Sequence, residues 1–137
     1  MRNALAGVAA VAAAALAGCG GGKPQDARVV RVVEQDFTIR APRTIAPGRV
    51  RLLVRNRGPV EHELLLVRAT RAGLPLRADG FTLDEDALER RLVATVEPQP
   101  PGTETSLDVS LERGTYVLVC NMSGHAAAGM QRTITVR

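Results

Sequence analysis

Aromatic residues are nearly missing from this 137-residue sequence, which has no tryptophan, one tyrosine and two phenylalanines. Histidine is equally scarce, with two in all, at His62 and His125. Cysteine occurs twice, at Cys19 and Cys120. The 18 basic and 14 acidic side chains are interspersed, and with so few aromatics the chain lacks the footprint of a nucleic-acid binder. Two cysteines are too few for an iron–sulfur cluster. The apolar stretch Leu5–Ala17, about 13 residues, is shorter than the roughly 20 residues of a permanent membrane-spanning helix. No internal repeat is visible.

That stretch follows a single early charge, Arg2, and runs into Leu16-Ala17-Gly18-Cys19. A basic start, a short apolar run and small residues before a cleavage point describe a secretory signal over residues 1–18. Its ending resembles a bacterial lipobox, which implies cleavage before Cys19 and lipidation of that residue. An ordinary signal with a coincidental cysteine is the alternative. Residues 19–27, with Gly20-Gly21-Gly22 and Pro24, read as a flexible tether to the lipid anchor. Residues 28–137 are one domain's length, enough to bury a single core. On this reading the protein is exported and membrane-anchored, facing the periplasm or the cell exterior. Once Cys19 is acylated, Cys120 has no partner for an internal disulfide. It is then an intermolecular bridge, a reactive thiol or a metal ligand.

Most of the domain reads as strand. Arg28–Val33, Asp36–Arg40, Arg49–Arg55 and Glu63–Arg68 are rich in Val, Ile, Leu and Thr and are bounded by Pro or Gly. Glu104–Leu111, Thr115–Cys120 and Gln131–Arg137 follow, the first with strict apolar–polar alternation. About seven short strands separated by turns predict an antiparallel β-sandwich. One segment breaks the rhythm: Thr82-Leu83-Asp84-Glu85 has the form of a capping box and predicts a short helix around residues 83–92, ending before Val93–Val96. Arg49, Arg51, Arg55 and Arg57 cluster without a carboxylate among them; a solvated strand face is the favoured reading, contact with anionic lipid the lesser one.

Three metal-ligand side chains fall within eleven residues near the C-terminus: Cys120, His125 and Met130, joined by a loop of small residues. Cys120 ends an apolar strand and Met130 begins the next, so the loop can aim all three at one point. His62 lies far upstream, just before a strand, and completes the chain's histidines. A thiolate with two imidazoles suits both Cu(I) and Cu(II), and a more distant thioether tunes the potential. Zinc takes four close Cys, His or carboxylate ligands, so a methionine argues against it. Singly, each residue has an ordinary reading: Cys120 and Met130 as core filler, His62 as a strand histidine, Met122 as a loop contact.

Together, Cys120-x4-His125-x4-Met130, preceded by Gly114-Thr115-Tyr116 and followed by a last strand, resembles the type 1 copper loop of the cupredoxin family. Asn56-x-Gly58-x3-His62-Glu63 resembles the upstream half of that site in plastocyanin-, azurin- and sulfocyanin-like lipoproteins. The resemblance spans residues 28–137. It implies an all-β, Greek-key fold and one type 1 copper held by His62, Cys120, His125 and Met130. Two departures stand out: Glu63 replaces the asparagine that often follows the first histidine, and Gly124 replaces the second cysteine of a dinuclear copper centre, which excludes a purple site.

The resemblance implies single-electron transfer between redox partners rather than catalysis, since no coordination position is left open and the extra histidines of a catalytic copper centre are missing. It also implies an electron port at His125, with Met122, Ala126, Ala127 and Ala128 forming an apolar docking rim. A monomer is expected. The alternative is a chaperone or buffer that delivers Cu(I) to an extracytoplasmic oxidase; a metal-free structural lipoprotein is the third reading.

Overall fold

The structure is a computed structural model that describes residues 26–71 and 73–137; the expected signal, Cys19 and most of the tether lie outside the described residues. The strands are β1 (Arg28–Gln35), β2 (Thr38–Arg40), β3 (Thr44–Ile45), β4 (Gly48–Asn56), β5 (His62–Arg68), β6 (Leu92–Gln99), β7 (Glu104–Leu111), β8 (Gly114–Val119) and β9 (Gln131–Val136). They form two sheets, a four-stranded one ordered β2-β1-β4-β7 and a five-stranded one ordered β3-β9-β8-β5-β6. The expected β-sandwich is therefore present. Its pairing is mixed, because β1 runs parallel to β4 and β3 parallel to β9. The chain leaves the first sheet after the β1–β2 hairpin, touches the second at β3 and returns as β4, which brings β4 back in the direction of β1.

Alternation explains which side chains turn inward. Val30 and Val32 on β1, Val50, Leu52 and Val54 on β4, and Ile134 and Val136 on β9 all bury against one another across the sandwich, with Leu64, Leu66 and Tyr116. Each such aliphatic side chain contributes about 1.5–3 kcal/mol through burial. The opposite face of β4 carries Arg49, Arg51 and Arg55, all exposed, and Arg51 makes a two-pronged ion pair with Asp108 of β7 at 2.7 and 2.8 Å. Those three form an exposed strand face, and Arg57, also exposed, lies just past the strand's end.

Strand β5 departs from alternation, with Leu64, Leu65, Leu66 and Val67 all buried. One face meets the sandwich core; the other is covered by the segment between β5 and β6, through Leu83 and Leu88. That segment holds the expected helix in a shorter form, α1 (Glu85–Leu88) continued by a 3-10 turn over Glu89–Arg91, and β6 starts at once with Leu92. The cap is Asp84, whose carboxylate accepts the Ala87 N–H at 3.1 Å, and not Thr82. Thr82 is already committed, since its hydroxyl and N–H both bond to Asp79. Pro98 lies in β6, an edge strand, where a missing N–H breaks no ladder.

Candidate metal centre

Two loops at one end of the sandwich bring the chemistry together. The first, from β4 to β5, is built around buried Asn56. Its amide oxygen accepts the Gly58 N–H at 2.8 Å, and its amide nitrogen donates to the Val60 and Gln99 carbonyls, each at 2.8 Å. The loop thus delivers His62, fully buried, as the first residue of β5. The second loop joins β8 to β9 and is closed by its own backbone. Cys120 N–H donates to Met130 O at 3.1 Å, Met130 N–H to His125 O at 2.9 Å, and His125 N–H to Met122 O at 2.9 Å. Gly124 and Gly129 adopt φ of 81° and 96°, left-handed values that glycine takes without steric cost.

The result is a compact donor set. His62 Nδ1 and His125 Nδ1 lie 3.3 Å apart, and Cys120 Sγ lies 3.9 Å from the first and 3.4 Å from the second. Met130, the next residue before β9, is fully buried and shares the core cluster with Cys120. So the fold gathers His62, Cys120 and His125 at one point and sets Met130 at the end of the same loop. No carboxylate belongs to the cluster.

The electrostatics favour a neutral Cys120 and a neutral His62 while no metal is bound. Burial pushes the Cys120 thiol up to about 11, against the opposing pull of the Met122 and Glu63 backbone N–H groups on its sulfur. Burial also lowers His62, and the neighbouring His125 lowers it further, with Asp36 acting the other way. Glu63 therefore replaces the usual asparagine without vacating the backbone donor to sulfur. Its own half-buried carboxyl is raised, first by burial and then by Glu85 and Glu97.

Around this centre, His125, Met122 and Ala126 are half-buried, and Ala127 and Ala128 are exposed. Four residues here were not singled out by the sequence reading. Asn121 accepts the Leu83 N–H at 2.6 Å and donates to Glu85 at 2.7 Å, tying the ligand loop to the segment that carries α1. Its position directly after Cys120 was the only signal. Glu34 is fully buried with neither carboxylate oxygen bonded among the described residues, and burial, with Glu63 nearby, raises it to about 8. Its place two residues after Val32 on the inward face of β1 was legible as a register. Asp36 and Phe37, in the β1–β2 turn, contact the two histidine rings.

The sandwich and the two loops at its end are those of the cupredoxin fold. Auracyanin B is similar over 85% of this chain and 93% of its own, with 24% identity and a TM-score of 0.64. Auracyanin A, a "blue" copper protein from Chloroflexus aurantiacus, is similar over 80% of this chain and 98% of its own, with 16% identity and a TM-score of 0.61. Reduced rusticyanin follows at 22% identity and a TM-score of 0.57, over 85% of this chain and 89% of its own. No protein-family model and no curated protein sequence matches.

Proposed function

We propose that the protein is an extracytoplasmic type 1 copper protein that carries single electrons between redox partners and catalyses no reaction. The observation that carries this reading is the convergence of His62 Nδ1, His125 Nδ1 and Cys120 Sγ on one point, all within 4.8 Å of one another. This donor set, one thiol and two imidazoles without a carboxylate, fits copper in preference to calcium or magnesium, and buried Met130 supplies a soft thioether in the same loop. The similar auracyanin A is itself a blue copper protein. Bound copper would supply a one-electron couple.

The chain's own residues would do the rest. His62, Cys120, His125 and Met130 hold the ion. The Met122 and Glu63 N–H groups share the thiolate charge, and closed backbone bonds from Cys120 to Met130 resist rearrangement between oxidation states. Buried His62 keeps water from one side, while half-buried His125 reaches towards solvent as the electron port. Met122, Ala126, Ala127 and Ala128 form the docking rim for a partner held only briefly; weak electron-transfer contacts bury under about 1,200 Å². The protein acts as a monomer, exported by residues 1–18 and anchored by lipid on Cys19.

Titrating the purified protein with Cu(II) tests this. One equivalent should produce an intense visible thiolate-to-copper band, absent in Cys120→Ser, with a reversible potential by voltammetry. Because the Cys120 proton must leave as the metal enters, Cu(II) affinity should rise with pH up to the thiol range. Colourless Cu(I) binding with ready transfer to an apo-oxidase would establish the chaperone reading instead. A Cys120→Ser protein with unchanged colour would overturn the site.

A further inference from the structure

Resting on the copper reading above, we propose that the two-residue turn Asp36–Phe37 is a positioning element that fixes both histidine rings for the metal. The turn closes the β1–β2 hairpin, where Gln35 pairs with Thr38. Neither turn residue belongs to the ligand loops, yet each touches one histidine. Asp36 Oδ1 lies 3.1 Å from His62 Nε2, and the Phe37 ring meets the His125 ring edge-on, at 5.4 Å between centroids and 88° between planes.

The Asp36 contact decides which His62 nitrogen faces the metal. A carboxylate accepts only, so Nε2 carries the proton and donates it, leaving Nδ1 with its lone pair towards Cys120 and His125. Ligating histidines are commonly held this way, and such a partner also makes the imidazole more electron-rich. Gly58 is part of the arrangement. A Cβ there would sit 2.5 Å from His62 Nε2 and 2.7 Å from Asp36 Oδ1, inside the hydrogen bond itself.

Phe37 shows that the turn is shaped for this contact and not for its own stability. Two-residue hairpin turns favour Asn-Gly or Asp-Gly, because glycine accepts the left-handed backbone. Here phenylalanine follows the aspartate at φ 53°, making it the only non-glycine residue with positive φ among the described residues. The residue is also 49% exposed. A bulky residue held in that conformation is a local strain, and strain of this kind collects at functional sites. What the ring gains there is its edge contact with His125.

Ring ¹⁵N spectra of the metal-free full-length protein, with copper affinity and voltammetry alongside, test the assignment. His62 should appear as the single Nε2–H tautomer and become a mixture in Asp36→Ala. Asp36→Asn keeps the acceptor but not the charge, so it should keep the tautomer yet raise the reduction potential. Cu(II) affinity should drop about 10–100-fold in Asp36→Ala and in Gly58→Ala, the second of which removes no donor or acceptor. Phe37→Gly should leave the metal-free fold as stable or more so, while the His125 ring gains mobility and the copper spectrum broadens. An unchanged His62 tautomer in Asp36→Ala, with Cu(II) affinity within about twofold of the parent, would overturn the proposal. If the parent protein binds no copper, the copper reading fails by itself, and the metal-free tautomer still decides the turn.

Discussion

The two histidines reach the same point from opposite kinds of structure. His62 opens a strand, is fully buried, and is fixed from several sides by Asn56, Gly58 and Asp36. His125 rides a loop of small residues, half-buried, held by that loop's backbone bonds and one exposed phenylalanine. One side is framework and the other is open to solvent. The difference teaches that a site can be rigid where it must define geometry and open where it must meet a partner, provided the two sides converge on shared donor atoms. Glu34 lies on the framework side as well, in a position that a surface loop would never require.

The largest effect separating the two sides should come from Glu34. Its carboxyl is raised from 4.5 to about 8, so the folded state favours the neutral form and the unfolded state releases the proton sooner. The contribution of Glu34 to the stability of the metal-free protein is therefore full below about pH 4.5, falls as pH rises towards 8, and levels off above it. The total loss should be about 3–5 kcal/mol. Urea unfolding across that range should show this slope, and Glu34→Gln should flatten it. A parent and a Glu34→Gln protein with the same pH dependence would mean that Glu34 does not hold its proton in the fold.

The histidines themselves come next. His62→Gly should cost the metal-free fold about 2–3 kcal/mol, because it empties a buried site and strands Asp36 without its partner. His125→Gly should cost less than about 1 kcal/mol. Added imidazole should restore the copper band in His125→Gly more readily than in His62→Gly. Equal costs and equal rescue would erase the distinction between framework and surface.

The smallest effect on affinity, though a clear one on potential, belongs to the methionines. Met130 is buried and Met122 is half-exposed on the rim. Met130→Gln exchanges a soft thioether for a harder amide oxygen, so it should lower the reduction potential while the protein stays coloured. Met122→Gln should shift it much less. Voltammetry showing the larger shift from Met122 would reassign the thioether ligand.

Much of this was legible in residue order, and the exceptions share a cause. Alternation in Glu104–Leu111, and β-rich runs bounded by Pro or Gly such as Arg49–Arg55, revealed strands because burial on one face writes its pattern into the sequence. The spacing of Cys120, His125 and Met130 marked the ligand loop because one short loop must supply all three. Strand β3 was missed because two residues cannot display a period, and the parallel pairing of β1 with β4 was missed because alternation carries no direction. The helix cap was misplaced by two residues because Thr82 is engaged by Asp79, a competition that a capping pattern does not register. Asp36 and Phe37 looked like ordinary turn residues, since their partners lie 26 and 88 positions away at His62 and His125.

The buried, proton-holding state of Cys120 also bears on the protein's life before any metal arrives. Nucleophilic attack and oxidation both proceed through the thiolate, and a thiol displaced to about 11 and shut away from solvent offers almost none of it at neutral pH. An empty chain would therefore resist mixed disulfides and sulfenic acid formation under oxidising conditions. The burial that makes the sulfur a poor reagent keeps it chemically intact until copper displaces its proton.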